Sequence, residues 1–400
     1  YLISIGGFCF ALISAIGVSL SYEYTESEEF CGLLCHKVME PEYTAYKHSP
    51  HSKVGCVKCH IGAGATWFVK SKLSGLYQVY AILTNTYHVP IPTPIRNLRP
   101  AQQTCEQCHW PKHFYSEKKV KFDYYLSNEE NSKSTLTMLL KVGGGNLESG
   151  NQSGIHWNMN IANEITYIAI DDKRNIIPWI KSKSLVNGAI SIYKSTDTIK
   201  DISKYQDKVR TMDCVDCHNR PSHIYKPPHT MVNSYLSLGR IDPSLPYIKS
   251  LAVQVLESYY KWDDKIYDYM SSFIENFYTS NYPQIANSKK ESIHNSVDRI
   301  YEIYKGNYFP KMKVSWRQFP DNLGHIYNPG CFRCHDGKHV NETGKVLSND
   351  CNLCHTLIEE ELPNQLKRES TLGLEFIHPG NEMGGYVQGR KCMTCHRIKM

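Results

Sequence analysis

Residues 1–22 carry no charge of either sign, and no acidic residue occurs between Glu42 and Glu106. Uncharged throughout, YLISIGGFCFALISAIGVSLSY is long enough to span a bilayer. A signal-peptide core would be shorter and would lead to a small-residue cleavage site. Ser14-Ala15 and Ser21-Tyr22 offer only a poor one, so the segment is expected to remain as an anchor. The missing carboxylates leave Lys47, Lys53, Lys58, Lys70, Lys72, Arg96 and Arg99 without an acidic neighbour in sequence. Beside a membrane anchor, such bases would attract anionic lipid. No nucleic-acid recognition motif is present, and no repeat extends beyond a short cysteine motif.

Cysteine and histidine are plentiful, and they are not scattered. Six segments read CxxCH: CVKCH (56–60), CEQCH (105–109), CVDCH (214–218), CFRCH (331–335), CNLCH (351–355) and CMTCH (392–396). With 15 Cys and 18 His in 400 residues, chance would supply about 0.03 such motifs. CGLLCH (31–36) adds a seventh with a loop one residue longer, and only Cys9 is left over. A disulfide framework explains no histidine after every second cysteine. Nor does a zinc ribbon, which needs cysteine pairs matched two by two. Covalent haem explains all three positions, because two thiols meet the two vinyl groups and the adjacent imidazole meets the iron.

The expected attachment residues are therefore Cys31, Cys35, Cys56, Cys59, Cys105, Cys108, Cys214, Cys217, Cys331, Cys334, Cys351, Cys354, Cys392 and Cys395. The proximal ligands are His36, His60, His109, His218, His335, His355 and His396. Seven covalent c-type haems would supply much of the core. Their propionates, fully ionised, would carry the formal +6 to about −8 in the reduced state, so basicity implies no nucleic-acid partner. Pairing of the basic cluster with propionates ranks ahead of lipid, since a partly buried pair interacts more strongly than a screened one.

A second axial ligand is needed for each low-spin iron, and eleven further histidines are candidates. His223 and His339 follow their motif histidines too closely to reach around their own porphyrin, and are expected to ligate a neighbour's iron. His156, His325 and His378 sit in Gly- or Pro-flanked loops that let a side chain reach inward. His229, in a Pro-rich loop, and His294, on a polar helix, read as solvent residues.

The fold class expected is a multihaem cytochrome c: mainly α and irregular, with one N-terminal transmembrane helix, a small β-rich insertion and a haem-filled core. The boundaries read as an anchor (1–22), a haem domain (23–111), a β-rich insertion (112–213), one haem with a helical segment (214–330) and a three-haem segment (331–400). Val69, Leu73, Leu76, Tyr80 and Leu83 form the stripe of an amphipathic helix, suited to a bilayer interface or to a core. ITYIAI, NIIPWI and AISIYK are β-prone runs divided by turn signals. YIKSLAVQVLESYYKW, DDKIYDYMSSFIENFY and KKESIHNSVDRIYEIYKGN have helical periodicity.

The anchor, CHKVMEPEYTAYKHSPH and VGCVKCHIG together resemble the NapC/NirT family of membrane-anchored multihaem quinol dehydrogenases. TYHVPIPTPIRNLRPAQQTCEQCHWP, MDCVDCHNRPSH and GCFRCHDGKH resemble its larger, inner-membrane branch of about seven haems. The resemblance implies a first haem near the membrane, with Met39 as an axial ligand and a quinol site beside it. Met39 follows His36 by three residues where the family has two, and His36 stays open as the ligand. The family's Ser-x-His ligand maps to His51, with His48 in competition, and its interfacial lysine to Lys72, with Lys70 behind it. Where smaller relatives carry a carboxylate, this chain has Gln78, leaving proton acceptance to water, Lys72, a propionate or Glu42. The distal set is then His51, His156, His223, His325, His339 and His378.

The function expected is quinol oxidation at the membrane surface and electron relay to a periplasmic redox protein. A reductase of a small nitrogen compound would need a five-coordinate haem, and no CxxCK motif is present. An electron-entry subunit fixed in a larger respiratory complex is the other alternative. The soluble part is expected on the periplasmic side of the inner membrane.

Overall fold

The computed structural model describes residues 1–34, 36–61, 65–94, 99–110, 116–143, 154–159, 162–197, 201–258, 265–380 and 391–396. The chain forms two units, one of residues 1–108, 220–224 and 309–314, the other of 109–219, 225–308 and 315–400.

The first unit begins with the helix Leu2–Thr25, none of whose residues is buried. Its 24 residues make it long and apolar enough to cross a membrane. At about 1.5 Å per residue, it exceeds the hydrocarbon thickness of about 30 Å. Ser27 then caps a second helix, Glu28–Leu33, accepting from the Phe30 amide at 3.1 Å, with two glutamates in the first turn to favour the dipole. Gly32 lets this helix lie against the next, His36–Lys47, because a Cβ there would enter the Tyr43 ring. The Tyr46 hydroxyl meets the Glu28 carboxylate and accepts from the Gly55 amide at 3.2 Å, tying both helices to the following loop.

The amphipathic segment folds as the helix Ala65–Leu83, and its apolar stripe is not a core face. Leu73, Leu76 and Tyr80 are 62%, 68% and 59% exposed. Phe68 packs on Tyr22 near the end of the membrane helix, with ring centres 5.7 Å apart.

In the second unit, two sheets and a helical layer replace a self-contained β insertion. The hairpin Glu117–Tyr125 and Lys133–Lys141 is extended by His355–Glu361 and Arg368–Glu369 from the C-terminal segment. The second sheet runs Val209–Thr211, Asn163–Ile168, Trp179–Ser184, Ile190–Ser195 and His339–Asn341 in that order, all antiparallel. Both sheets are thus closed by strands from the haem-rich end. The helices Pro228–Ser237, Ile248–Glu257, Ile266–Asn281 and Lys290–Asn307 bury Val232, Ile248, Met270, Ile274 and Ile300 in a conventional apolar core. Lys249 is buried among them and donates to Asn233 Oδ1 at 2.6 Å.

Candidate functional site

All six CxxCH motifs fold around one turn of α or 3-10 helix. Residues three apart share a helix face, so the turn sets both thiols side by side and brings the histidine next to them. The histidine amide closes the turn on the first cysteine carbonyl, at 2.8 Å for His218, 2.9 Å for His335 and 3.0 Å for His396. At CVDCH the turn is further fixed by a capping box between Asp213 and Asp216. Cys35 and the His36 side chain lie outside the described placements, as does His113.

Four of the expected distal histidines face a motif histidine. Ring centres are 6.2 Å apart for His60 and His223, 6.3 Å for His156 and His218, 6.1 Å for His325 and His355, and 5.9 Å for His378 and His396. A metal–nitrogen bond of about 2.0 Å plus about 1.1 Å to each ring centre puts two imidazoles on one iron about 6.2 Å apart. The observed spacings fit an iron held between each pair, and are too long for direct ring stacking. His223 faces His60 and not His218, so it serves a motif other than its own.

Backbone carbonyls orient several of these rings. His223 donates from Nδ1 to Glu42 O at 2.9 Å, His156 to Val142 O at 3.1 Å, His335 to Ser348 O at 3.0 Å and His378 to Pro379 O at 2.7 Å. That bond fixes the tautomer and leaves the Nε2 lone pair for a metal. Partial burial also holds the pKa values of His156, His223, His325 and His355 below the ordinary value, favouring the neutral, ligating form. His51 has the same arrangement, its Nδ1 3.1 Å from Pro221 O.

His339 departs from the expectation. It is 1% exposed, with Nδ1 2.8 Å from Asp336 Oδ1 and Nε2 2.7 Å from Ile177 O. Both nitrogens face oxygen atoms of the protein, so in this arrangement neither is presented to an iron. His339 holds the edge strand of the second sheet instead. His229 is half-buried, not solvated: it packs on Tyr327 at 6.5 Å, and its pKa is pushed down to about 4, first by burial and then by Lys249 and His396. His294 is exposed, as expected.

Within each unit, consecutive motifs adjoin. Burial raises the Cys59 thiol, and the thiols of Cys105 and Cys108 add to it. A hydrogen bond from the Cys56 thiol lowers Cys31. In the second unit burial raises Cys331 and Cys392, helped by Cys354 and Cys351 respectively. Arg333, inside CFRCH, donates to Asp216 O of CVDCH at 2.7 Å and joins those two turns directly. Asp216 in turn accepts from Arg174 at 2.7 Å and Arg210 at 2.9 Å.

The residues expected at the membrane end are not all together. Lys72 forms an ion pair with Glu26 and lies 3.3 Å from Thr25 Oγ1. Gln78 is exposed and, among the described residues, its amide lies 3.4 Å from Ser74 Oγ. Met39 is half-buried on the His36–Lys47 helix. Glu42 is held by Arg220 through both carboxylate oxygens, at 3.1 and 3.0 Å, and so is committed to the His223 loop. Sequence reasoning missed Glu26 and Arg220; the only signal for Glu26 is its place just after the apolar run.

Among the described residues, one buried cation has donors left without any partner. Arg99 is 6% exposed, and its Nε and Nη1 have no partner among the described residues. Buried unsatisfied donors of this kind mark an absent partner, and a propionate has the charge and oxygens required. Thiol turns, paired imidazoles and an orphaned guanidinium all fit covalent haem, and no described cysteine is consumed in a disulfide.

Comparison with known proteins agrees. The model of the NapC/NirT cytochrome c family, N-terminal region, matches residues 1–92. The cytochrome c-type protein ImcH of Geobacter sulfurreducens is 46% identical over 390 residues, covering 97% of this chain and 75% of ImcH. No solved structure matches. With its membrane-spanning helix and its haem-attachment turns, the chain belongs to the NapC/NirT family of membrane-anchored c-type cytochromes.

Proposed function

We propose that this cytochrome oxidises quinol at the membrane surface and relays the electrons, through seven c-type haems, to a periplasmic redox protein. When bound, each haem supplies a one-electron ferric/ferrous couple. The chain's part is to attach, ligate and orient those groups and to bind the donor. The seven Cys–Cys–His motifs would hold them; His223, His156, His325 and His378 would close the second axial position of His60, His218, His355 and His396. Imidazole on both faces would exclude a small substrate from those irons, which favours relay over reduction of a nitrogen compound. His51 remains the candidate for a further distal position, and Met39 or His36 for the first haem.

The observation that carries the reading is the join of membrane helix, first motif and interfacial helix. Glu26 caps the membrane helix, Ser27 starts the helix bearing Cys31, and the Ala65–Leu83 helix lays Phe68 and Lys72 on the same junction. Its exposed Leu73, Leu76 and Tyr80 suit the lipid interface. A lipid-soluble donor would thus meet the first motif without leaving the membrane surface. The test is reduction of the full-length holoprotein in nanodiscs by a short-chain naphthoquinol, followed by haem absorbance. Reduction at turnover rates is expected; a protein reduced by dithionite but not by the quinol refutes the proposal. Pyridine haemochrome analysis should return seven haems per chain.

A further inference from the structure

We propose that Glu26, paired with Lys72, is the carboxylate that receives protons from the quinol, a role that rests on the quinol-oxidising function above. Glu26 is the C-cap of the membrane helix, its amide bonded to Tyr22 O at 3.1 Å and Glu23 O at 3.2 Å. An anion at the carbonyl end of a helix is electrostatically disfavoured. Nothing in the capping requires one, and the Lys72 ammonium offsets the cost. The Glu26 side chain is 14% exposed and that of Lys72 36%, so the pair is sheltered yet reachable. Lys72 is steadied over the Phe68 ring at 5.0 Å, and Phe68 by Tyr22.

Its position relative to the first attachment turn is the second observation. Ser27, the next residue, caps the helix carrying Cys31, and the Cys31 amide donates to Ser27 O at 3.2 Å. The charges of both Glu26 and Lys72 act on the Cys31 sulfur. Two nearby carboxylates are committed elsewhere, Glu28 to Tyr46 and Lys47 and Glu42 to Arg220, and Glu26 is the one that shares this junction with Lys72. Gln78, the residue in the place of the family's carboxylate, can neither take a proton nor reach this junction.

The chemistry balances in two equal halves. Each half would break one O–H bond of the quinol heterolytically: its proton joins the Glu26 carboxylate, and its electron would be taken up by the ferric couple that a c-type haem attached through the CGLLCH motif would supply. Glu26 then passes its proton to external water before the second half. One quinol becomes one quinone, with two protons released and two ferric centres reduced. Lys72 donates a hydrogen bond to the quinol oxygen as negative charge develops there.

The experiment uses full-length holoprotein in nanodiscs with a short-chain naphthoquinol as donor. The quinone-site probe 2-heptyl-4-hydroxyquinoline N-oxide is followed by fluorescence quenching. Glu26→Gln is expected to lower kcat about 100-fold, the usual range for loss of a general base. Glu26→Asp should keep most of the rate, and added formate should restore part of it to Glu26→Gln. Lys72→Met should weaken probe binding about tenfold. Dithionite should reduce every variant fully, showing that the haems are in place. A Glu26→Gln rate within twofold of wild type, or a loss that Glu26→Asp and formate do not relieve, overturns the proposal and leaves Glu26 a structural partner of Lys72. Wild-type protein that neither oxidises the quinol nor binds the probe overturns the quinol function itself.

Discussion

Glu42 and Arg220 form the contact on which the His60–His223 pair depends, and Glu42→Gln tests it. Arg220 is 7% exposed and places Nη2 against both carboxylate oxygens, while its Nε donates to His223 O. His223 donates back to Glu42 O. Removing one partner of a buried ion pair costs about 3–5 kcal/mol, because the other charge is left uncompensated. Glutamine keeps one acceptor oxygen in place, so the expected loss is about 2–3 kcal/mol, or about 30- to 160-fold in the folding equilibrium. Denaturant unfolding of the holoprotein, followed by circular dichroism, measures it. A double-mutant cycle with Arg220→Gln should give a coupling of about 1–3 kcal/mol. The loosened His223 should also convert part of one low-spin haem signal to high spin in low-temperature EPR. Additivity within about 0.5 kcal/mol, with an unchanged EPR spectrum, would refute the claim that this ion pair holds the ligand.

His339→Gln should leave every low-spin haem signal intact while costing about 2 kcal/mol of stability from its two buried hydrogen bonds; loss of one low-spin signal would restore His339 as a ligand. Burial pushes the Lys249 ammonium down from 10.5 to about 8. Between about pH 8 and 10.5 the unfolded chain therefore holds a proton that the folded chain has lost, and stability rises with pH by about 3 kcal/mol from this group. Lys249→Met should abolish that rise, and equal slopes of unfolding free energy against pH in both proteins would refute the assignment. Arg99→Leu should lower one haem midpoint potential by on the order of tens of millivolts, since a cation beside the cofactor disfavours the oxidised, more positive form; potentiometry showing no shift would remove Arg99 as a propionate partner.

What was legible in the sequence was what local covalent chemistry demands. A CxxCH turn must be helical for its thiols to align, and each of the six is. Histidines flanked by Gly or Pro were recognisable as able to reach inward: His156, which folds in the 3-10 turn Ile155–Met159, and His325 and His378 all face a motif imidazole. Three helical stretches between residues 247 and 307 were read from periodicity and appear as helices. Long-range pairing was not legible. His339 sits four residues after a haem histidine, and only the fold brings Ile177 O onto its Nε2. The two longest strands among the described residues, Glu117–Tyr125 and Lys133–Lys141, pair with each other, and only the fold adds His355–Glu361, distant in sequence, to the second of them. In sequence Glu26 is only one of four glutamates that follow the apolar run; its partner Lys72 comes from another helix.

The spacing of the motifs along the chain acquires a physical meaning once their neighbours are known. In the first unit Cys31 adjoins Cys56 and Cys59 adjoins Cys105; in the second, CVDCH meets CFRCH through Arg333, Cys331 adjoins Cys354 and Cys392 adjoins Cys351. Within each unit, then, attachment turns that follow one another in sequence also lie side by side. Where the connector is short, as from Cys35 to Cys56 or from Cys334 to Cys351, such neighbours cost little loop-closure entropy; CVDCH and CFRCH are far apart in sequence and are joined by Arg333 instead. Some distal histidines come from far along the chain and others do not: His223 pairs with His60 across two other motifs, whereas His378 directly precedes the motif of His396. Local turns thus bring the groups close, and the long-range imidazoles, held by carbonyls and by the Glu42–Arg220 pair, fix their orientation. Because these two tasks fall to different residues, a distal ligand can be changed without displacing the turn that attaches its haem.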